Sequence, residues 1–160
     1  NWIVRGPTSV GPLKTKREGR DNMAQSPPTH EGLNIMVRRK GLGLSQKELA
    51  KLLGVKQVMI SKWESGDRTP RYYLSICKLF DEYEVRFLDL VDELISVAET
   101  EEILVDRPEV AYPMYMDQED YEKRCIYAKK LPCLSMYRQA VAWAAMSVRE
   151  EGQTPYAELI

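Results

Sequence analysis

The chain has 160 residues, 44% of them hydrophobic and 29% charged, and a formal net charge of −1. This length suits one ordinary domain or two small ones, and the apolar fraction is sufficient for a packed core. The charge is unevenly distributed, because residues 31–80 hold 10 basic and 4 acidic side chains whereas residues 81–120 hold 2 and 14. This asymmetry predicts that one part of the protein faces a polyanion that another part repels.

Cysteine and histidine usage argues against a metal site and against structural disulfides. The three cysteines, Cys77, Cys125 and Cys133, form no CxxC pair, and His30 is the only histidine, so no zinc-ligand set can be assembled. We expect free thiols in a reducing compartment and no cofactor. The longest apolar run, residues 140–146, is too short to cross a bilayer, and no signal peptide is recognisable. These observations predict a cytoplasmic protein.

The first segment of the chain has no helical or strand period. Residues 1–30 contain Gly-Pro and Pro-Pro pairs among basic side chains, which predicts a flexible basic arm. From Leu33 onward apolar residues recur at helical spacing, so we expect a first helix that ends at Gly41 or Gly43.

Two further helices follow directly. Ser45 and Glu48 form an S-x-x-E capping box at the start of a second helix, which Gly54 ends. A third helix is predicted over residues 56–65, before Gly66. Two consecutive helices joined by a turn at a glycine, the second with exposed polar residues at its start, have the geometry of a helix-turn-helix over residues 45–64.

The remaining elements are less sharply marked. Helical spacing predicts separate helices at residues 72–80 and 85–99, which brings the total to five. Aromatic residues and methionine at 112–116 indicate a short strand or an extended crossover. Two helices, at residues 120–130 and at Leu134–Glu150, close the predicted order.

The run LSQKELAKLLGVKQVMISKWESGDRTP, residues 44–70, resembles the helix-turn-helix of Cro and the phage repressors, the XRE family. With its flanking helices the resemblance covers residues 33–94. It implies a five-helix, lambda-repressor-like DNA-binding domain at 31–100, followed by a helical dimerisation region at 101–160. The predicted fold class is therefore mainly all-α, with one short strand as an option. The matching positions are Ser45, Gln46, Glu48, Leu49, Ala50, Gly54, Val55, Ile60, Trp63, Glu64, Gly66 and Pro70.

The resemblance implies that four side chains of the third helix read base edges. Gln57 suits the N6 and N7 atoms of adenine, and Lys62 suits O6 and N7 of guanine. Val58 suits the methyl group of thymine, and Ser61 occupies the fourth reading position. The alternative is that some of these four side chains are merely solvated.

A second set is expected to contact phosphates. Gln46, at the start of the second helix, and Arg68, in the loop after the third, match phosphate-binding positions of the family. Lys47 and Arg38 are weaker candidates, since a basic helix face is often only a solvated one. Lys56 departs from the family, which usually has Ser or Thr as this N-cap. A cation there opposes the helix dipole by about 0.3–1 kcal/mol, and a nearby phosphate would reverse that sign.

The resemblance also assigns scaffold residues. Arg39 and Glu64 match a pair that forms an ion bridge between the first and third helices in relatives. Trp63 is expected in the core, where its truncation would cost about 3–5 kcal/mol. Ala50 and Gly54 occupy fixed positions of the second helix and its end.

The C-terminal region carries a dimerisation hypothesis. Tyr137, Val141, Ala144 and Val148 form one stripe of the last helix, beside small alanines that permit close helix approach. The alternative for this stripe is intramolecular core. The ending MYRQAVAWAAMSVREEGQTPYAELI is similar to the C-terminal segment of YdiL-like and anti-CRISPR-associated repressors. That similarity implies dimerisation through this region.

Three functions are compatible with these features, and an enzyme is not expected. The first is a homodimeric repressor that binds an inverted-repeat operator in double-stranded DNA. The second is an antitoxin that neutralises a co-encoded toxin and regulates its own gene, with the acidic residues 81–120 facing a basic partner. The third is a transcriptional adaptor that uses the same fold to bridge proteins, which intact Gln57 and Lys62 argue against. A bacterial or mobile-element origin is expected.

Overall fold

A computed structural model of the chain describes residues 28–105, 109–150 and 154–159. The prediction of a mainly all-α chain is confirmed for this part, which also holds two short strands. Most of the flexible arm predicted at residues 1–30 lies outside the described residues. The elements are α1 His30–Gly41, α2 Gln46–Leu53, α3 Gln57–Ser65, α4 Tyr73–Val105, β1 Glu109–Met114, α5 Gln118–Arg124, a 3₁₀ helix Ile126–Lys129, α6 Leu134–Glu150 and β2 Thr154–Leu159.

Local sequence signals determine where the first helices begin and end. Thr29 caps α1 by accepting a hydrogen bond from the backbone N–H of Gly32, so α1 begins a few residues before the predicted Leu33. Ser45 and Glu48 form the predicted capping box of α2. Gly54 ends α2 with φ at 66°, a left-handed conformation that glycine adopts without a steric penalty.

The helix α4 is one continuous element of 33 residues, where the sequence suggested two separate helices. No glycine or proline lies between Phe80 and Val85, so nothing interrupts the helical hydrogen bonds there. Phe80, Phe87 and Leu94, spaced seven residues apart, are all buried on its inner face. At 1.5 Å per residue the helix is about 50 Å long, and it extends past the predicted domain boundary at residue 100.

The C-terminal part closes with a parallel pair of strands. The strand β1 overlaps the segment for which a strand or crossover was predicted, and it pairs with β2 from Glu109 opposite Thr154 to Met114 opposite Leu159. Strand β2 was not predicted from the sequence. The predicted helix at 120–130 is divided into α5 and the 3₁₀ helix at Cys125.

A cluster of tyrosines forms the core of this part. The rings of Tyr115, Tyr121 and Tyr137 lie with their centroids 5.4 Å apart in each pair. The hydroxyl of Tyr121 donates to the carbonyl of Leu131, and that of Tyr137 donates to the carbonyl of Pro113. These bonds satisfy buried hydroxyls and tie α5 and α6 to the segments beside them.

The C-terminal part is docked on the N-terminal helices through α6. Its Ser135 donates a hydrogen bond of 2.8 Å to the capping carboxylate of Glu48 at the start of α2. Gly43, in the turn between α1 and α2, has φ at 74°, and a Cβ atom there would lie 2.8 Å from the Cβ of Gln139. The backbone of this turn therefore lies directly against α6.

Candidate nucleic-acid interface

The helix α3 has one buried face and one exposed face. Ile60, Trp63 and Glu64 point inward and are at least nine-tenths buried, which fixes the rotation of α3 on the helices beneath it. The opposite face carries polar and small apolar side chains at the spacing of a single helix surface. The four side chains predicted to read bases all lie on this exposed face: Gln57, Val58, Ser61 and Lys62.

A buried ion pair supports α3 from below. Arg39 of α1 donates to the carboxylate of Glu64 through Nε at 2.7 Å and Nη2 at 3.1 Å, and its Nη1 donates to the carbonyl of Leu44. Both charged side chains are about nine-tenths buried. This is the pair that the sequence led us to expect between the first and third helices.

Gln46 joins the same network. Its Nε2 donates a bond of 2.8 Å to the second oxygen of Glu64, so the carboxylate receives three hydrogen bonds. One N–H of the Gln46 amide is thereby engaged, and the other remains for an external acceptor. The network holds the start of α2 at a fixed position relative to α3.

Cationic side chains flank the exposed face of α3. Lys47, Lys56 and Arg68 are all exposed, and none of them forms an ion pair with another residue in the described ranges. Lys56 is the N-cap of α3 and makes no side-chain capping bond, as its residue type requires. The loop that bears Arg68 is fastened to the end of α3 by a backbone bond from its N–H to the carbonyl of Lys62.

Comparison with known families agrees with this geometry. Residues 35–75, from the middle of α1 to the first residues of α4, match the family model described as helix-turn-helix, of the Cro/C1 type. This segment is a helix-turn-helix domain. The match to this family supports a role as a DNA-binding regulator of transcription. No match was found among curated proteins, so the similarity to YdiL-like repressors suggested for the C-terminal region remains a prediction.

One predicted phosphate contact of the helix-turn-helix domain needs correction. Arg38 does not face outward with the other cations, because its guanidinium binds two carboxylates of α4, Glu84 at 2.6 and 2.7 Å and Asp81 at 2.5 Å. It also lies over the ring of Phe80, 5.1 Å from the centroid. The hydrogen bond to Glu84 is the main cause of a raised pKa for Arg38. Arg38 therefore fastens α1 to α4.

The stripe predicted to form a dimer interface lies inside the chain. Tyr137, Val141, Ala144 and Val148 are at most 7% exposed, and they belong to the core that α6 shares with its own neighbours. The alternative reading of this stripe, intramolecular core, describes these positions. They present no free surface to a second copy, and a dimer built on them would have to open this core.

The contact between α6 and the capping box was not foreseen from the sequence. Glu48 was identified only as a capping residue, yet it also accepts the hydrogen bond from Ser135, 87 residues later. Burial opposes its ionisation, but the bonds donated by Ser45 and Ser135 outweigh this effect, and the pKa of Glu48 lies below its ordinary value of 4.5. No sequence signal links these two segments.

Other kinds of site are not found in the described part of the chain. Its three cysteines are free thiols, and no group of three or more potential metal-ligating side chains comes together there. Burial raises the pKa of the Cys133 thiol to about 11, which makes it a poor nucleophile near neutral pH. None of the helices described is long and apolar enough to cross a membrane.

Proposed function

We propose that the protein is a homodimeric repressor that recognises an inverted-repeat operator through α3. The observation that carries this proposal is the division of α3 into a buried face, which the Arg39–Glu64 pair supports, and an exposed face of four short or flexible side chains. An α-helix presented in this way fits the major groove, where each base pair has a distinct pattern of donors and acceptors. The rigid support beneath α3 supplies the fixed orientation that base reading requires.

The chemistry of the exposed face assigns a role to each side chain. We infer that Gln57 makes a bidentate contact to adenine and Lys62 donates to guanine, while Val58 contacts a thymine methyl. Val58 is 53% exposed although its side chain has no polar group that water could solvate, and this exposure fits an apolar base contact. Ser61 lies one turn after Gln57 and Val58 and suits a small adaptable contact.

The flanking groups are proposed to hold the sugar-phosphate backbone. Lys47, Lys56 and Arg68, together with the remaining N–H of Gln46, lie beside the reading face on the ends of α2 and α3. Each cation that neutralises a phosphate adds about −0.9 to the slope of log affinity against log salt concentration. We therefore expect a slope of about −3 per half-site from the three cations.

Dimerisation follows from the proposed operator symmetry. Two copies on one face of the duplex would place their α3 helices about 34 Å apart, which is one helical turn. We propose residues 31–100 as the DNA-binding domain and residues 101–160 as the region that brings two copies together. Because the Tyr137 stripe is internal, the contact between copies must use other, exposed side chains of that region.

Selection of bound fragments from a random DNA pool tests the proposal. The expected result is one enriched sequence repeated in inverted orientation with a spacing of about 10 base pairs between half-site centres. Absence of enrichment at low salt would contradict sequence-specific binding, and a single unrepeated site would contradict the dimer. Placing the selected site across a reporter promoter then tests repression, for which transcription must fall when the protein is present.

Point variants distinguish base recognition from non-specific electrostatic attraction to DNA. Lys62→Ala should lose about 1–3 kcal/mol of discrimination at one base position. Lys78→Ala, which removes an exposed cation from α4 away from α3, is the matched control. Equal effects of the two changes on every sequence would show that Lys62 contributes only charge.

A further inference from the structure

An apolar groove lies behind α3 and shares only Arg68 with the proposed DNA-binding face. It has a volume of about 490 Å³ and runs between α2, the inner edge of α3 and the first two turns of α4. Its walls are formed largely by apolar side chains that are only partly buried, among them Leu53, Val55, Met59 and Leu79. Small-molecule sites in proteins are typically concave, mostly apolar and about 300–1,000 Å³ in volume.

The charged side chains that line the groove are both cationic. Arg68 and Arg71 line it, no carboxylate lines it, and neither arginine is in an ion pair within the part of the chain that the structure describes. Trp63 also lines the groove, at 7% exposure, and its indole N–H is buried with no acceptor among the described residues. Because this N–H is closed to solvent in the groove, Trp63 contributes only ring surface to the wall.

We propose that this groove binds an amphipathic carboxylic acid, with its apolar body against Leu53, Met59 and Leu79 and its carboxylate on Arg68 and Arg71. Two guanidinium groups without a competing carboxylate favour a planar anion that can accept paired hydrogen bonds. The same charges disfavour an amine, and an uncharged alcohol would leave them without a partner. Binding at this site stands independently of DNA recognition.

The position of the groove gives the ligand a means of regulation, and this part rests on the proposed function. Arg68 is shared, because the same guanidinium that lines the groove is proposed to contact a DNA phosphate. A bound carboxylate would neutralise it and remove one of the phosphate contacts. The acid is therefore expected to weaken operator binding and to reduce the salt slope by about 1.

Calorimetry and NMR on the full chain test binding without DNA. Octanoate, 1-octanol and octylammonium serve as probes with the same apolar body and different head groups. Octanoate should bind saturably and about tenfold or more tightly than octanol, because a charge-assisted pair is added. The Met59 methyl and Trp63 indole N–H resonances should shift, the latter identified with Trp2→Phe and Trp143→Phe variants. Absence of saturable octanoate binding, or equal binding of octylammonium, overturns the proposal.

Two variants locate the site. Ser75→Trp fills the groove from an exposed position on α4 and should abolish octanoate binding, whereas Lys78→Trp, on the same helix outside the groove, should leave it unchanged. Arg71→Ala should reduce octanoate affinity toward that of octanol, because Arg68 alone remains to bind the carboxylate, with Arg86→Ala as the charge-matched control. Unchanged binding in Ser75→Trp overturns the assignment.

Sedimentation of the same variants tests whether a second copy of the chain, and not a carboxylic acid, occupies the groove. If a second copy fills the groove, Ser75→Trp dissociates a dimer and the small-molecule proposal is refuted. If octanoate binds but no DNA sequence is enriched, the site stands and only the proposed function fails.

Discussion

Replacing Arg39 by methionine should strongly destabilise the fold, because it removes the partner of a buried carboxylate. Glu64 is only 8% exposed and accepts three hydrogen bonds, two from Arg39 and one from Gln46. After Arg39→Met the carboxylate keeps a single neutral donor, and the carbonyl of Leu44 loses the bond from Nη1.

The magnitude follows from the burial of both charges. Breaking a buried ion pair by removing one partner costs about 3–5 kcal/mol, because the remaining charge stays desolvated without compensation. With a urea m-value of about 2 kcal/mol/M, a loss of about 4 kcal/mol lowers the unfolding midpoint by about 2 M. The double change Arg39→Met with Glu64→Leu leaves neither charge buried, and we expect a loss of only about 0–2 kcal/mol.

Urea unfolding followed by circular dichroism measures all four members of this double-mutant cycle. The double variant should be more stable than the sum of the two single losses by at least about 2 kcal/mol. The reasoning is refuted if the free energy of unfolding of Arg39→Met lies within about 0.5 kcal/mol of that of the wild type. It is also refuted if the losses of the two single variants simply add in the double variant.

Three further predictions concern the ends of helices. Lys56→Ser supplies the missing cap and should stabilise the fold by about 1 kcal/mol in thermal unfolding, while reducing the salt slope of operator binding by about 1 if Lys56 contacts phosphate. Gly43→Ala should cost at least about 1 kcal/mol more than Gly54→Ala, since both have positive φ but only the former places a Cβ against α6; equal losses in urea would contradict the docking of α6 on this turn. Glu48→Gln should be least stable relative to the wild type near neutral pH. Because the folded-state pKa of Glu48 is lowered, its contribution to stability is present above pH 4.5 and is lost as the pH falls through the folded-state pKa, so the stabilities of the two proteins should converge in acid; a constant difference would show that ionisation is not involved.

The helix-turn-helix could be predicted from the sequence because its signals are local. The capping box of Ser45 and Glu48, the glycine at position 54 and the apolar spacing of α2 and α3 act within a few residues of one another. The exposure of Gln57 and Lys62 follows from the same periodicity, since the buried positions of α3 fix its other face.

The features that were missed depend on residues far apart in the chain. Arg38 is a basic residue of the kind that often contacts phosphate. Only the packing of α1 on α4 brings Asp81 and Glu84 to it. The stripe that includes Tyr137 has the spacing of any apolar helix face, and spacing does not distinguish an intramolecular neighbour from a second copy. The strand β2 contains a proline and pairs with a distant segment, so neither propensity nor pattern indicated it.

The parallel pairing of β1 with β2 has a consequence for the order in which the protein folds. Paired residues such as Glu109 and Thr154 are 45 positions apart, whereas α1, α2 and α3 contact one another within a short stretch of chain. Short-range contacts form early and distant ones late, because loop closure costs entropy before pairing repays it. During synthesis the DNA-binding helices can therefore fold first. The tyrosine core must wait until α6, which supplies Tyr137, has been made, and the pairing of β1 must wait for β2. Until then the apolar surface of this part is exposed to chaperones and to other chains.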